Sequence, residues 1–244
     1  MATHYGLARI LSKRGLCSRT EAARWIAAGR VRVAGRVVRD AEAPTTLDAE
    51  IVIDGEQAEL VIPLHLMLNK RRGLITTRMD EHGRATVYDC FANANLPWVA
   101  PVGRLDRASE GLLLFSNDPG FAASINEPGC GIEKTYHVQV GGLPTAEGLA
   151  ELEAGLSIDG ECWRALRARE LRRGAKNCWL EIVLDEGRNR QIRRMLETLG
   201  YPVMRLVRVA IGALQLGPLD KGEWRVLGAS DIAALHLPAP ASGG

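Results

Sequence analysis

The segment Gly111-Leu112-Leu113-Leu114-Phe115 constrains this chain more than any other. Its apolar residues follow one another without a polar break, so both faces of the strand they form must be covered. A half-exposed strand would alternate instead. The chain therefore needs an interior strand with packed layers on each side. Just ahead of it stands Gly103-Arg104-Leu105-Asp106, which sets one carboxylate at the lip of that core, two residues after an arginine. A carboxylate in such a place is either structurally paired or chemically employed. Glu110, four residues further on, is expected to be solvated.

The 244 residues are 46% hydrophobic and 25% charged, enough to bury one large core or two modest ones without covalent staples. No apolar run approaches the ~20 residues of a membrane helix, and Met1 to Tyr5 lack a charged-then-apolar leader, so a cytoplasmic location is expected. Cys17, Cys90, Cys130, Cys162 and Cys178 are odd in number and contain no Cys-x-x-Cys clip. The histidines contain no His-x-x-x-His. Neither a metal site nor a disulfide framework is expected. There is no Gly-x-Gly-x-x-Gly and no P-loop lysine, which leaves a nucleotide-cofactor domain without support.

The net charge of +2 hides an asymmetry. Residues 1–40 hold nine basic and two acidic groups, whereas residues 41–60 hold six acids and no base. A basic block of this density points to a polyanion as partner. It also reads as compact structure. Leu7, Ile10 and Leu11 recur at helical spacing, Ser18-Arg19-Thr20-Glu21 is a capping box, and Gly29 ends a second helix. Val31 to Val38 alternates and turns like a hairpin. Lys13, Arg14, Arg19, Arg24, Arg30 and Arg32 are the expected RNA-contacting cations.

Over roughly residues 7–54 this stretch resembles an S4 domain, through Gly15-Leu16-Cys17-Ser18-Arg19-Thr20-Glu21-Ala22 and Gly29-Arg30-Val31-Arg32-Val33-Ala34-Gly35. The resemblance implies binding of structured RNA. Ala34 stands where that family commonly has Asn, which disfavours the positive φ such a turn needs.

From Leu66 to about Leu227 strand-like and helical stretches alternate irregularly. Strands are expected at Leu64–Leu68, Gly111–Ser116, Thr135–Val140 and Cys178–Leu184. Helices are expected near Thr86–Phe91, Gly120–Ile125, Ala146–Gly155 and Arg190–Leu199. The pattern predicts an α+β architecture: residues 1–60 as the small RNA-binding domain, 61–237 as a second domain on a mixed, mainly antiparallel sheet, and 238–244 as a flexible tail.

Asn189 is a suitable N-cap for a helix whose buried face is Ile192, Met195, Leu196 and Leu199. Arg190, Arg193 and Arg194 then fall in its opening turns, where the helix dipole disfavours cations by ~0.3–1 kcal/mol each. An anion, phosphate or carboxylate, is expected to meet them. In Lys134-Thr135-Tyr136-His137-Val138-Gln139-Val140, Tyr136 shares an inward face with Val138 and Val140, and His137 faces the other way.

These pieces together are similar to the RsuA/RluB/RluF-type RNA pseudouridine synthases, which join an S4 domain to a catalytic domain. The matching words, in family order, are Leu68-Asn69-Lys70-x-x-Gly73, Gly83-Arg84-Ala85-Thr86-Val87, Val102-Gly103-Arg104-Leu105-Asp106, Lys134-Thr135-Tyr136, Glu186 through Met195, Leu206-Val207-Arg208 and Gly222-Glu223-Trp224-Arg225. Arg71 departs from the family's usual Pro. The resemblance implies isomerisation of uridine to pseudouridine without cofactor or metal. It assigns Asp106 as the catalytic aspartate, Tyr136 as the active-site tyrosine, Arg193 as the aspartate's partner and Leu206 as an apolar contact to the base. Arg104, Lys134 and Arg190 are the further expected substrate contacts.

Such chemistry requires the N-glycosidic bond to break, the base to turn, and C5 to bond to the sugar. A carboxylate serves as nucleophile on sugar or base, or as a base at C2′, and the residues do not choose among these. The uridine must be flipped out of its stack, with Leu206 and Tyr136 expected to sandwich it. Ribosomal RNA is the expected partner, the 23S molecule slightly ahead of 16S, and a monomer is the expected state. The competing readings are a ribosome-binding or assembly factor without turnover and a base-excising N-glycosidase.

Overall fold

The computed structural model of the chain describes residues 3–127 and 129–236. The flexible tail expected at 238–244 lies outside them.

The N-terminal body opens with α1 (Leu7–Lys13) and α2 (Arg19–Ala27). The Ser18 hydroxyl accepts from the Glu21 amide at 3.1 Å and so starts α2. A small sheet follows: β1 (Val31–Val33), β2 (Arg36–Val37), β3 (Ile51–Ile53) and β4 (Glu56–Gln57), in the order β2-β1-β3-β4. Leu7, Ile10, Leu11, Ile26, Val31 and Ile51 are fully buried between helices and sheet. The hairpin forms despite its alanine: Ala34 takes φ 46° and Gly35 φ 74°, both positive as a two-residue turn of this twist demands. The left-handed state costs an alanine ~1–2 kcal/mol, which the paired strands and core override.

One expectation fails here. Arg14 is buried, and its guanidinium donates to the carbonyls of Leu47 (2.9 Å), Ala58 (2.5 Å) and Ala49. It clamps the acidic segment onto the helices and is not available to RNA.

The second body contains β5 (His65–Lys70), β6 (Ala100–Val102), β7 (Glu110–Ser116), α3 (Pro119–Asn126), β8 (Lys134–Gly141), α4 (Ala146–Ala154), β9 (Arg167–Arg173), β10 (Asn177–Leu184), α5 (Gln191–Thr198), β11 (Val203–Ile211), β12 (Trp224–Val226) and α6 (Ala229–Leu235). Its main sheet runs β9-β10-β8-β11-β7-β5-β12. Every neighbour is antiparallel except β11 and β7, which run parallel over two residue pairs. Beyond them β7 pairs with β6 instead, so β7 and β11 part company.

Every residue of β7 is buried. Leu113 and Phe115 enter one core with Leu66, Leu68, Val138 and Leu180, whereas Leu112 and Leu114 enter a second with Met67, Phe121, Ile125 and Leu235. Each such side chain contributes ~1.5–3 kcal/mol of apolar burial, so β7 ties the two layers together. The strand β9 reads Arg-Ala-Arg-Glu-Leu-Arg-Arg and had no strand signal; it survives as the charged edge of the sheet, where such residues block further pairing.

Asn117, just after β7, holds the start of the second body: its side chain accepts from the Leu64 amide (2.8 Å) and donates to the Ile62 carbonyl (3.0 Å). The segment is tied to the first body by the Val61 amide, which donates to Arg14's carbonyl (2.9 Å). No helix among the described residues is long and apolar enough to cross a membrane.

Candidate active site

Four segments converge on an open cleft of about 780 Å³. The loop between β6 and β7 brings Arg104 and Asp106. Strand β8 brings Lys134 and Tyr136, the turn after β10 brings residues 185–190, and β11 brings Leu206 and Arg208. The central position of β7, β8 and β11 in the sheet makes the floor rigid, while the polar groups enter from loops at its rim.

Asp106 is one-third exposed and its backbone is heavily anchored. The Ser109 amide donates to its carbonyl at 3.0 Å. Lys70, completely buried at the end of β5, donates to the same carbonyl (3.0 Å), to that of Ser109 (2.8 Å) and to that of Arg71 (3.3 Å). Burial pushes the Lys70 ammonium down to about 8, against the pull of Asp106 and Glu110 in the other direction. The Thr76 hydroxyl donates to the Leu105 carbonyl at 2.8 Å, pinning the residue before the aspartate.

The side-chain partner of Asp106 differs from expectation. Arg190 Nη1 lies 3.8 Å from Asp106 Oδ2. Arg193 is buried but donates to the carbonyls of Val203 and Ala108, each at 3.3 Å, and acts on Asp106 only through the field. Burial lowers the Arg193 pKa, and repulsion from Arg190 adds to it, with Asp106 opposing. The cause is a shift of the cap. Arg190, not Asn189, is the N-cap, and it is left-handed at φ 53°, ψ 31°. That turn swings Arg190 toward the aspartate. A left-handed arginine costs of order 1–3 kcal/mol and is the kind of strain found at working sites. Arg194 is taken up by Asp159 and by the Trp163 ring 4.5 Å away. The three arginines thus have separate partners instead of one shared anion.

Tyr136 and Leu206 are both buried, on neighbouring strands in a register that pairs Tyr136 with Arg208 and Val138 with Leu206. They are diagonal neighbours on one face of the sheet. A base lying on them meets a continuous apolar floor, not two opposed jaws as the sandwich predicts.

Glu110 also departs from expectation. It is buried and accepts from Arg205 Nε (2.8 Å) and Lys221 Nζ (2.9 Å). Burial pushes its carboxyl up, but those hydrogen bonds outweigh it and hold the group below the usual range. It is a structural tie between β7, β11 and the loop at 221. Arg208 in the cleft, and Lys70 buried behind the Asp106 loop, are functional-site residues to which the sequence reading gave no role. The signals for Lys70 were its place in the matching word Leu68-Asn69-Lys70-x-x-Gly73 and an ammonium closing a largely buried strand.

Comparison with known proteins agrees with this architecture. The pattern of the RNA pseudouridylate synthase family matches residues 64–198, and that of the S4 domain matches residues 6–51. The ribosomal large subunit pseudouridine synthase B of Bacillus subtilis (strain 168) is 34% identical over 236 residues, 96% of each chain. An uncharacterized RNA pseudouridine synthase of Aquifex aeolicus (strain VF5) is 34% identical, covering 93% of this chain and 92% of its own length. A crystal structure of a pseudouridylate synthase superposes with a TM-score of 0.66 at 27% identity, over 95% of this chain and 99% of that one. The fold is that of an RNA-modifying isomerase with an attached RNA-binding module. The chain belongs to the RNA pseudouridine synthase family and carries an S4 domain ahead of an α+β catalytic domain.

Proposed function

We propose that the protein isomerises a specific uridine of ribosomal RNA to pseudouridine, with 23S RNA favoured over 16S. The observation that carries this reading is one carboxylate, Asp106, anchored by its backbone and facing Arg190 at 3.8 Å across a cleft floored by Tyr136 and Leu206. The large-subunit preference rests on what the Bacillus subtilis relative is named for.

In this reading Asp106 is the catalytic carboxylate. Arg190 faces and aims it, a task the family resemblance assigned to Arg193. Arg193 acts at one remove by holding the carbonyls of Ala108 and Val203. Tyr136 stacks on the released uracil, and its hydroxyl assists removal of the C5 proton. Leu206 extends that floor, while Arg104 and Lys134 contact the flipped nucleotide. No cofactor or metal is required.

The module up to residue 60 binds rRNA through Lys13, Arg19, Arg24 and Arg32. Arg30 is partly engaged by Asp54 and by the Trp25 ring 5.3 Å away, which leaves it a weaker contact. Residues 61–237 form the catalytic domain. The enzyme works as a cytoplasmic monomer.

The test is to map pseudouridines in unmodified 23S and 16S transcripts incubated with the purified protein. Conversion of one or a few defined uridines in 23S RNA is the expected result. No conversion of any uridine in either RNA would refute the assignment.

A further inference from the structure

The proposed reaction makes a demand that Asp106 does not meet. When the C1′–N1 bond breaks, its electron pair leaves with the base. Uracil then carries negative charge spread over N1 and the carbonyl oxygens O2 and O4. This holds whether the carboxylate attacks C1′ or removes the C2′ proton. A group is needed that faces the base and not the sugar.

Two cations flank the Tyr136 ring on which the base would lie. Lys134 stands two residues earlier on β8, and Arg208 stands directly across from Tyr136 on β11. Both line the cleft. Arg208 is 5% exposed; its Nε donates to the Leu112 carbonyl at 2.7 Å, where β7 and β11 separate, and its Nη2 has no hydrogen-bond partner. Lys134 donates to the Ile132 carbonyl at 3.1 Å. The carboxylate that acts on Lys134 is Asp185, on the exposed rim and not hydrogen-bonded to it. Burial lowers the Lys134 pKa; the Cys130 thiol and Asp185 oppose this and Arg208 adds to it. Two neighbouring cations in a half-enclosed wall, one with an orphaned N–H, are costly unless an anion joins them. Arg14 and Glu110, by contrast, are met by several partners each within the fold.

We propose that Lys134 and Arg208 form an electropositive wall that takes up the negative charge of the departing uracil at O2 or O4. The inference rests on the isomerase reading above. The bookkeeping closes without a co-reactant: the C1′–N1 pair moves onto the base, C5 then returns a ring electron pair to the sugar carbon, and the C5 proton is lost to restore the ring. The wall works only while the base is anionic, which is what distinguishes transition-state stabilisation from plain binding.

The experiment uses single-turnover kinetics on an rRNA fragment whose target nucleotide is uridine or 5-fluorouridine, followed by consumption of the target nucleoside. Fluorine makes the base a better leaving group, so less help is needed. For Lys134→Met and Arg208→Met we expect rates ~10²-fold lower on uridine with RNA affinity changed less than ~3-fold, and a deficit several-fold smaller on 5-fluorouridine. Arg208→Lys should recover part of the rate. Loss of affinity with an intact single-turnover rate would overturn the proposal and point to a phosphate contact. So would equal deficits on both substrates accompanied by a lower melting temperature, the mark of a structural role. Lys134→Met keeps the test alive if Arg208→Met does not fold. If wild-type protein converts no uridine, the isomerase reading fails first; if it does and both variants match it, only this inference fails.

Discussion

The N-terminal module and the cleft of the second body both bury an arginine, and they do so in opposite ways. Arg14 is surrounded by carbonyls and donates to three of them, closing a loop more than thirty residues away in sequence. Arg208 lines the cleft, spends one bond on the Leu112 carbonyl and keeps a buried Nη2 without a partner. The first cation is finished within the fold, and the second is left with unused hydrogen-bond capacity. A basic residue's role is therefore read from its remaining hydrogen-bond capacity, not from its charge. By that measure the density of arginines before residue 40 overstates the RNA-binding surface, and the quieter cations of the cleft are understated.

That contrast breaks first at Arg14. Arg14→Met should lower stability by about 3 kcal/mol, because it leaves buried carbonyls without a donor. The protein that remains folded should convert RNA at a rate within ~2-fold of wild type, as read by urea unfolding alongside single-turnover assays. A variant of normal stability and weakened RNA affinity would return Arg14 to the binding surface.

Arg193→Met is expected to cost about 2 kcal/mol and most of the activity, since the carbonyl of Ala108, two residues after the aspartate, and that of Val203 lose their donor. Arg190→Met should change stability by no more than ~0.5–1 kcal/mol, because its ion pair is partly exposed, while activity falls at least ~10-fold. Thermal melts and rates on the two variants separate these outcomes. If Arg193→Met couples to Asp106→Asn in a double-mutant cycle and Arg190→Met does not, the partner assignment reverses.

Lys70 gives a smaller effect that depends on pH. Its folded pKa, pushed down to about 8, lies below the ordinary lysine value of ~10.4. Below pH 8 both folded and unfolded chains hold the proton. Between about pH 8 and 10 the unfolded chain holds it and the folded one has released it, so this group's contribution to stability rises with pH. Unfolding free energies from urea titrations, wild type minus Lys70→Met, should climb across that window by on the order of 1–2 kcal/mol. A flat or falling difference would mean that the ammonium is not held in a dry site.

Much of this molecule was legible from its residues. The apolar run of β7 required two covered faces, and the structure divides Leu112 and Leu114 from Leu113 and Phe115 in that way. Alternation along β8 placed Tyr136 inward with Val138 and Val140. Local signals of this kind are carried within a few residues. What stayed hidden depended on distant backbone atoms. The carbonyls that satisfy Arg14 belong to residues 47, 49 and 58, and carbonyls leave no mark in composition. The exchange of Arg193 for Arg190 beside Asp106 follows from a helix that starts one residue late on a left-handed cap. That is a detail of dihedral angle, not of residue type. Glu110 looked solvated because its partners, Arg205 and Lys221, come from β11 and the loop beyond it. Strand β9 was illegible because its charged sequence suits an edge that exists only once β10 is in place.

The claim on which all of this turns is that one carboxylate in the cleft performs the chemistry while the N-terminal module only holds RNA. Tritium release from rRNA labelled at C5 of uridine measures it directly, with Asp106→Asn compared against wild type at matched RNA occupancy. The expected result is no release above background by the variant, with RNA affinity and melting temperature close to wild type. Multiple turnover by an Asp106→Asn preparation verified free of wild-type protein would contradict the account.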